Sequence, residues 1–193
     1  MLGTLLIVSG PSGSGKSTMC RHAEADGLTA YSISCTTRAP RAGEKNDVDY
    51  HFLTREEFDA KVAAGEFLEH ATVHGNSYGT LKADIIALLQ QGRNVVMDID
   101  VQGAASIRAC EDPIIRAAYA DVYVLVPDDE LEARLRGRQT DAEEVIQLRL
   151  HNAAMENARR GEYQFCLVSG DREHDYAHFC ALLTTLGMRT QVQ

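Results

Sequence analysis

No two of the five cysteines form a C-x-x-C pair; Cys20, Cys35, Cys110, Cys166 and Cys180 are odd in number and far apart. That pattern argues against a zinc site and a disulfide framework, and reads as buried, reduced thiols. No apolar run approaches the ~20 residues that a helix needs to cross a bilayer. The N-terminus has no basic segment, and its short apolar run leads straight into a glycine-rich turn, so it reads as a strand and not as a signal peptide. Cations are scarce: 19 Lys and Arg against 28 Asp and Glu leave a net charge of −9. So acidic a surface repels nucleic acid and anionic membrane, and neither is expected as a partner. A cytoplasmic location is expected. There is no internal repeat and no low-complexity segment.

What is present begins with Gly10-Pro11-Ser12-Gly13-Ser14-Gly15-Lys16-Ser17-Thr18, which fits G-x-x-x-x-G-K-[ST]. Average residue frequencies would produce those four fixed positions by chance in about one chain per hundred of this length. An apolar strand over 4–9 before it and a helical stretch over 18–24 after it lower that chance further. Glycines let the backbone curl so that successive N–H groups face inward and cradle phosphate oxygens. The helix N-terminus adds unpaired N–H groups and a positive dipole end. Lys16 would reach the β- and γ-phosphates, and the Ser17 hydroxyl would bind Mg²⁺. The loop is a nucleotide site, and in so acidic a chain its ligand needs local clusters of cations.

A chain of 193 residues, 45% hydrophobic, is one domain or one core with insertions. Strands are predicted at 31–34, 50–52, 66–73, 94–100, 121–126 and 165–168. Helices are predicted from a Thr54 cap to Gly65, over 81–91, 104–110, from Pro127 onward, over 142–159 and over 175–186. Alternating strands and helices predict an α/β fold, an open parallel sheet flanked by helices in three layers. Short strands and polar turns over 34–80 break the rhythm, and suggest a lobe inserted over the carboxyl edge of the sheet, where ligands sit in such folds.

Several side chains stand out against that frame. Asp98 and Asp100 end an apolar strand; Asp98 fits the acid that organises Mg²⁺ directly or through water, and Asp100 fits a helix cap. Arg38 and Arg41 flank Pro40 on a rigid turn, where two guanidinium forks could grip a phosphate. Tyr50 and Tyr78 are either hydroxyl donors or packing residues. Arg134, Arg136 and Arg138 bracket Gly137 as a cationic hinge, two aimed at a site and the third at water. Arg149 falls within the apolar arc of Ala142, Val145, Ile146 and Ala153 on the long helix, and needs an anionic partner there, either a core carboxylate or a ligand phosphate. Glu69 is a solvent-face acid, or, if it faces the cleft, an acceptor for two adjacent donors such as guanine N1–H and N2–H₂. Ser34 and Thr80 could then serve the rest of the base edge.

Together with the phosphate loop, the stretches at 34–44 (Ser-Cys-Thr-Thr-Arg-Ala-Pro-Arg-Ala-Gly-Glu), 49–52, 67–70, 75–80, 98–104 and 134–138 resemble the guanylate kinase family in order and spacing. The T-T-R-x-P-R-x-G-E run is specific to it. The resemblance implies Mg²⁺-dependent transfer of the ATP γ-phosphoryl group to GMP, and to dGMP, giving the diphosphate and ADP. It implies that residues 10–18 bind ATP; that Arg38, Arg41, Tyr50 and Tyr78 hold the GMP phosphate; and that Ser34, Glu69, Thr80 and Asp98 read guanine. Lys16, Arg134, Arg138 and Arg149 would serve the transferring phosphates, with Ser17 and Asp98 at the metal. It further implies a core (1–33, 81–126, 142–193), a GMP-binding lobe (34–80) and a helical lid (127–141), in a monomer or homodimer. Three places in the sequence depart from the family. Ser77 replaces a tyrosine, Gln139 replaces a lid glycine, and Ser169-Gly170-Asp171 replaces Asn-Asp-Asp, whose asparagine helps hold adenine.

Two other readings are weaker. Asp100-Val101-Gln102-Gly103 satisfies the D-x-x-G of GTP-hydrolysing switches, yet no N-K-x-D guanine motif occurs. Silent guanylate-kinase-like scaffold modules lack an intact phosphate loop, and this loop is complete.

Overall fold

The computed structural model describes residues 1–41, 43–73, 75–137 and 142–188. Strand β1 (Leu5–Ser9) is buried at every position and turns through Gly10 toward helix α1 (Lys16–Ala25). Gly10 has φ 145°, and a Cβ there would lie 2.4 Å from the Val124 carbonyl oxygen. Only glycine fits that turn. The chain continues through β2 (Ala30–Tyr31), β3 (Cys35–Thr36), β4 (His51–Phe52), α2 (Arg55–Ala63), β5 (Phe67–Val73), β6 (Asn76–Leu81) and α3 (Lys82–Gln90). There follow β7 (Val95–Asp98), α4 (Val101–Arg108), α5 (Pro113–Ala118), β8 (Tyr119–Leu125), α6 (Asp128–Gly137), α7 (Glu143–Asn157), β9 (Phe165–Val168) and α8 (Arg172–Thr185).

Five strands form a wholly parallel sheet in the order β2-β7-β1-β8-β9. Successive side chains of β1 point to opposite faces, as the period of two requires. Leu6 and Val8 pack with Met19 and Cys20 of α1 and Phe179 and Leu182 of α8, while Leu5 and Ile7 pack with Ile85, Leu89, Ala104, Ile107 and Ile115 of α3, α4 and α5. Both faces are covered, which is why the strands read as continuous apolar runs. Beyond the sheet, α6 and α7 share a small core of Leu131, Leu135, Ile146 and Ala153.

A second, mixed sheet in the order β4-β3-β6-β5 interrupts the parallel one. Its core is Cys35, Phe58 and Phe67, with the two phenylalanine rings 4.5 Å apart. Helix α2 is fixed by a capping box. The Thr54 hydroxyl accepts from Glu57 N–H at 3.2 Å, and the Glu57 carboxylate accepts from Thr54 N–H at 2.7 Å.

The sequence expectations need several corrections here: β3 and β6 are strands that no predicted segment covers, and α4 runs over Val101–Arg108 and not 104–110, because Asp100 accepts from the N–H groups of Gln102 and Gly103. The second strand is Ala30–Tyr31 and not 31–34: the Ser34 carbonyl, just before β3, already accepts from His51 N–H of the other sheet at 2.9 Å. Helix α5 was not foreseen; Asp112 caps it and Pro113 occupies its first turn, but its six residues are too few for a helical period to show. The last helix starts at Arg172 and not at 175, because Asp171 accepts from the N–H groups of Glu173 and His174.

Candidate active site

Strands β1 and β7 are neighbours, so their carboxyl ends bring the glycine-rich loop beside Asp98. There the Ser17 hydroxyl donates to Asp98 Oδ2. Lys16 Nζ donates to the carbonyls of Gly10 at 2.5 Å and Pro11 at 3.0 Å and to Ser14 Oγ at 3.3 Å. Burial lowers the Lys16 ammonium's pKa, while the carboxylates of Asp98 and Glu156 work against that. Arg149 of α7 reaches the same loop, its Nη1 donating to Ser12 Oγ at 2.9 Å.

Between this edge and the second sheet lies a cavity of about 430 Å³. Ser17, Tyr31, Asp98 and Asp100 line one side, and Ser34, Tyr50, Glu69 and Tyr78 the other. Glu69 reaches it through an irregularity in β5. The pairing slips between Phe67 and Glu69, so that Phe67 faces Leu81 while Glu69 faces Thr80. The Thr80 hydroxyl then donates to Glu69 Oε1 at 2.9 Å, and Ser34 Oγ lies 3.4 Å from Thr80 Oγ1. Across from it, α4 comes close because residue 103 is glycine: a Cβ there would stand 3.3 Å from Glu69 Oε2. Burial pushes the Glu69 carboxyl up to about 6, against the pull of the Thr80 hydrogen bond.

Arg38 is held beside Tyr50 and Tyr78. Its guanidinium lies 5.5 Å from the Tyr50 ring centroid, donates to Glu44 Oε1 at 2.9 Å and to the Ala39 carbonyl at 2.8 Å, and interacts with Tyr78. The two tyrosine rings are 6.2 Å apart, edge to face. Glu44 also accepts from Arg41 N–H at 2.7 Å.

The guanylate kinase family profile matches residues 3–186. The chain belongs to the guanylate kinase family. It is 44% identical over 172 residues to the guanylate kinase of Fusobacterium nucleatum subsp. nucleatum, covering 89% of this chain and 91% of that one. It is 47% identical over 184 residues to the guanylate kinase of Anaeromyxobacter dehalogenans, covering 94% and 80%. Among solved structures, guanylate kinase from Anaplasma phagocytophilum superposes with a TM-score of 0.73 at 29% identity, over 98% of this chain and 88% of that chain. As a guanylate kinase family member, the chain is an ATP:GMP phosphotransferase, a nucleoside-monophosphate kinase.

Within this guanylate kinase fold, the residues singled out in the sequence fall into three groups. Lys16, Ser17 and Asp98 meet at the loop; Ser34, Glu69 and Thr80 meet across the cavity; Arg38, Tyr50 and Tyr78 stand together at its side. Arg41 is exposed and joins its group through its backbone. Arg134 is turned onto the segment after β9, donating to Ser169 Oγ at 2.9 Å and to the Gly170 carbonyl at 2.5 Å. Arg136 pairs with Glu132 and Glu143 on the surface. Arg138 and Gln139 lie outside the described residues. The arc drawn around Arg149 needs correction: Val145 is 39% exposed and Ala142 is exposed, leaving Ile146 and Ala153 as the buried positions of α7. Arg149 is only half-buried, at the edge of that face and within reach of the loop.

Sequence reasoning missed Tyr31, Arg21 and Glu156. The Tyr31 hydroxyl donates to Asp98 Oδ1, and burial followed by the Asp98 charge raises its pKa, so it stays a donor. Glu156 of α7 carries a buried carboxylate oxygen without a hydrogen-bond partner among the described residues, and it feels the Lys16 charge. Neither tyrosine 31 nor glutamate 156 sits in a local pattern, so no signal short of the fold would have found them.

Proposed function

We propose that phosphoryl transfer to GMP, and to dGMP, occurs in the 430 Å³ cavity, with ATP on the glycine-rich loop, residues 10–18. The observation that carries this reading is that one cavity joins Ser17 and Asp98 at the loop to Glu69, Tyr50 and Tyr78 of the second sheet. Glu69 accepts from guanine N1–H and N2–H₂, and Ser34 and Thr80 complete the base edge. Arg38, Arg41, Tyr50 and Tyr78 hold the acceptor phosphate. Lys16 neutralises charge on the β- and γ-phosphates, and Arg149, Arg134 and Arg138 supply further cations. A phosphate oxygen of GMP attacks in line. Positioning and charge stabilisation supply the catalysis, and no general base is required.

The loop suits Mg²⁺. Ser17 and Asp98 present hard oxygen donors side by side, and among the described residues no three His, Cys, Asp or Glu side chains cluster as a complete protein cage. That matches an ion that takes much of its shell from phosphates and water. Ser17 and Asp98 would hold it there, and it would supply positive charge to offset that of the phosphates. Closure of a lid over ATP, with α6 as its described part and residues 138–141 outside the described residues, and of the lobe over GMP would exclude water and so limit ATP hydrolysis. Among the described residues no helix is long and apolar enough to cross a membrane. A cytoplasmic location goes with this reading, as its substrates are cellular nucleotides.

The test is ADP release measured by a coupled assay with GMP, dGMP, AMP, UMP and dTMP. GMP and dGMP should turn over. AMP should be poorer by up to about 10⁴-fold, because it leaves the buried acceptors unpaired. Equal rates with AMP, or ADP release without any acceptor, would overturn the assignment.

A further inference from the structure

Asp98 is held from two sides, and only one of them belongs to the phosphate loop. Ser17 donates to its Oδ2, and the Tyr31 hydroxyl, at the end of β2, donates to its Oδ1. Tyr31 is itself fastened. The Arg21 guanidinium lies 3.8 Å above the centre of its ring, and its backbone N–H donates to Glu24 Oε1 at 3.2 Å. The other Glu24 oxygen pairs with Arg21 at 3.2 Å. Arg21, Tyr31, Ser17 and Asp98 all line the cavity. The order of the sheet accounts for the meeting: β2 pairs with β7, so the end of β2 adjoins the strand that delivers Asp98.

We propose that Tyr31, clamped by Arg21 and Glu24, is a positioning residue that fixes the Asp98 carboxylate so that Oδ2 is presented to the metal ion of bound ATP. The physical argument is one of orientation. A carboxylate on a single strand end can rotate about χ1 and χ2, and a donor on Oδ1 selects the rotamer that leaves Oδ2 toward Ser17. A cation over the face of a phenol draws electron density from the ring and makes its hydroxyl a stronger donor. Partners that orient a metal-binding carboxylate are commonly worth about 10-fold or more in metal affinity. This inference rests on the assignment of Ser17 and Asp98 to the Mg²⁺ of ATP.

The experiment compares the wild type with Tyr31→Phe, Arg21→Met and Asp98→Asn. Calorimetric binding of a non-hydrolysable ATP analogue is measured with and without Mg²⁺, beside the Mg²⁺ dependence of turnover. For Tyr31→Phe, the Mg²⁺ midpoint should rise about 10-fold. The tightening of the analogue by Mg²⁺ should shrink by a similar factor, with metal-free analogue affinity and the KM for GMP unchanged. Arg21→Met should shift the midpoint in the same direction by less. It is also the second route should the phenylalanine variant melt early. An unchanged Mg²⁺ midpoint in both variants would overturn the proposal, as would a raised KM for GMP at an unchanged midpoint, which would assign Tyr31 to the guanine side. If Asp98→Asn also left the Mg²⁺ dependence untouched, the metal assignment itself would fall, and not merely the role of Tyr31.

Discussion

Glu69 shows how a single side chain couples burial to recognition. Its carboxyl is raised from 4.5 to about 6 by burial, so ionisation in the folded chain opposes stability. A raised carboxyl contributes stability that is present at low pH and lost as pH rises through about 6; from the size of the change this amounts to about 2 kcal/mol. Glu69→Gln should therefore stabilise the ligand-free protein by up to that amount at pH 7.5 and by almost nothing at pH 4, read by urea unfolding at both. On the proposed role of Glu69 recognition has the opposite sign, because guanine N1–H and N2–H₂ would need the ionised acceptor. GMP affinity should fall as pH drops below about 6 in the wild type, by more than in Glu69→Gln; the variant corrects for titration of the GMP phosphate itself. Lys16 poses a simpler case. Lys16→Met should lower kcat by about 10²–10³-fold or more, in the range of lost transition-state donors, while calorimetry gives an unchanged Kd for GMP.

At the scale of elements, the slip in β5 matters most. In an unbroken strand Phe67 and Glu69 would share a face and Leu68 the other. The extra residue lets Phe67 enter the core of the second sheet, Leu68 the core beneath α3 and α4, and Glu69 the cavity opposite Thr80. Simple alternation cannot express this, which is why Glu69 could be read from the sequence as a solvent-face acid. Helix α2 makes the opposite point, since its start was legible in Thr54 and the glutamate three residues on. Thr54→Ala should cost about 1 kcal/mol of stability, measurable by urea unfolding, without changing the KM for ATP, because α2 stands apart from the glycine-rich loop.

At the scale of the molecule, a chain of net charge −9 must bind two anionic nucleotides. Among the described residues that line it, the cavity is acidic, with Asp49, Glu69, Asp98 and Asp100 facing one arginine, Arg21. The cations proposed for phosphate stand on separate units: Lys16 on the loop, Arg149 on α7, Arg134 on α6 and Arg38 beside the second sheet. Ligands should then act as ties between units. GMP at 100 times its Kd should add about 2.7 kcal/mol of stability, a rise in Tm of roughly 5–10 °C for a chain of this length, whereas AMP at the same concentration should add little. Equal shifts with the two nucleotides in a thermal melt would mean that the base edge is not read.

The sequence by itself determined whatever depends on near neighbours. The glycine-rich loop, Asp98 at the end of an apolar strand, the Arg38–Glu44 turn and the alternation that sets the parallel sheet all follow from backbone geometry and hydrogen bonds within a few residues. Tertiary structure decided what depends on which strand lies beside which. It put the β2 end next to β7 and so Tyr31 on Asp98, slipped β5 so that Glu69 faces Thr80, and turned Arg134 onto Ser169, 35 residues away. Those meetings are fixed by the order of strands and the filling of shared cores, which no local pattern of residues records.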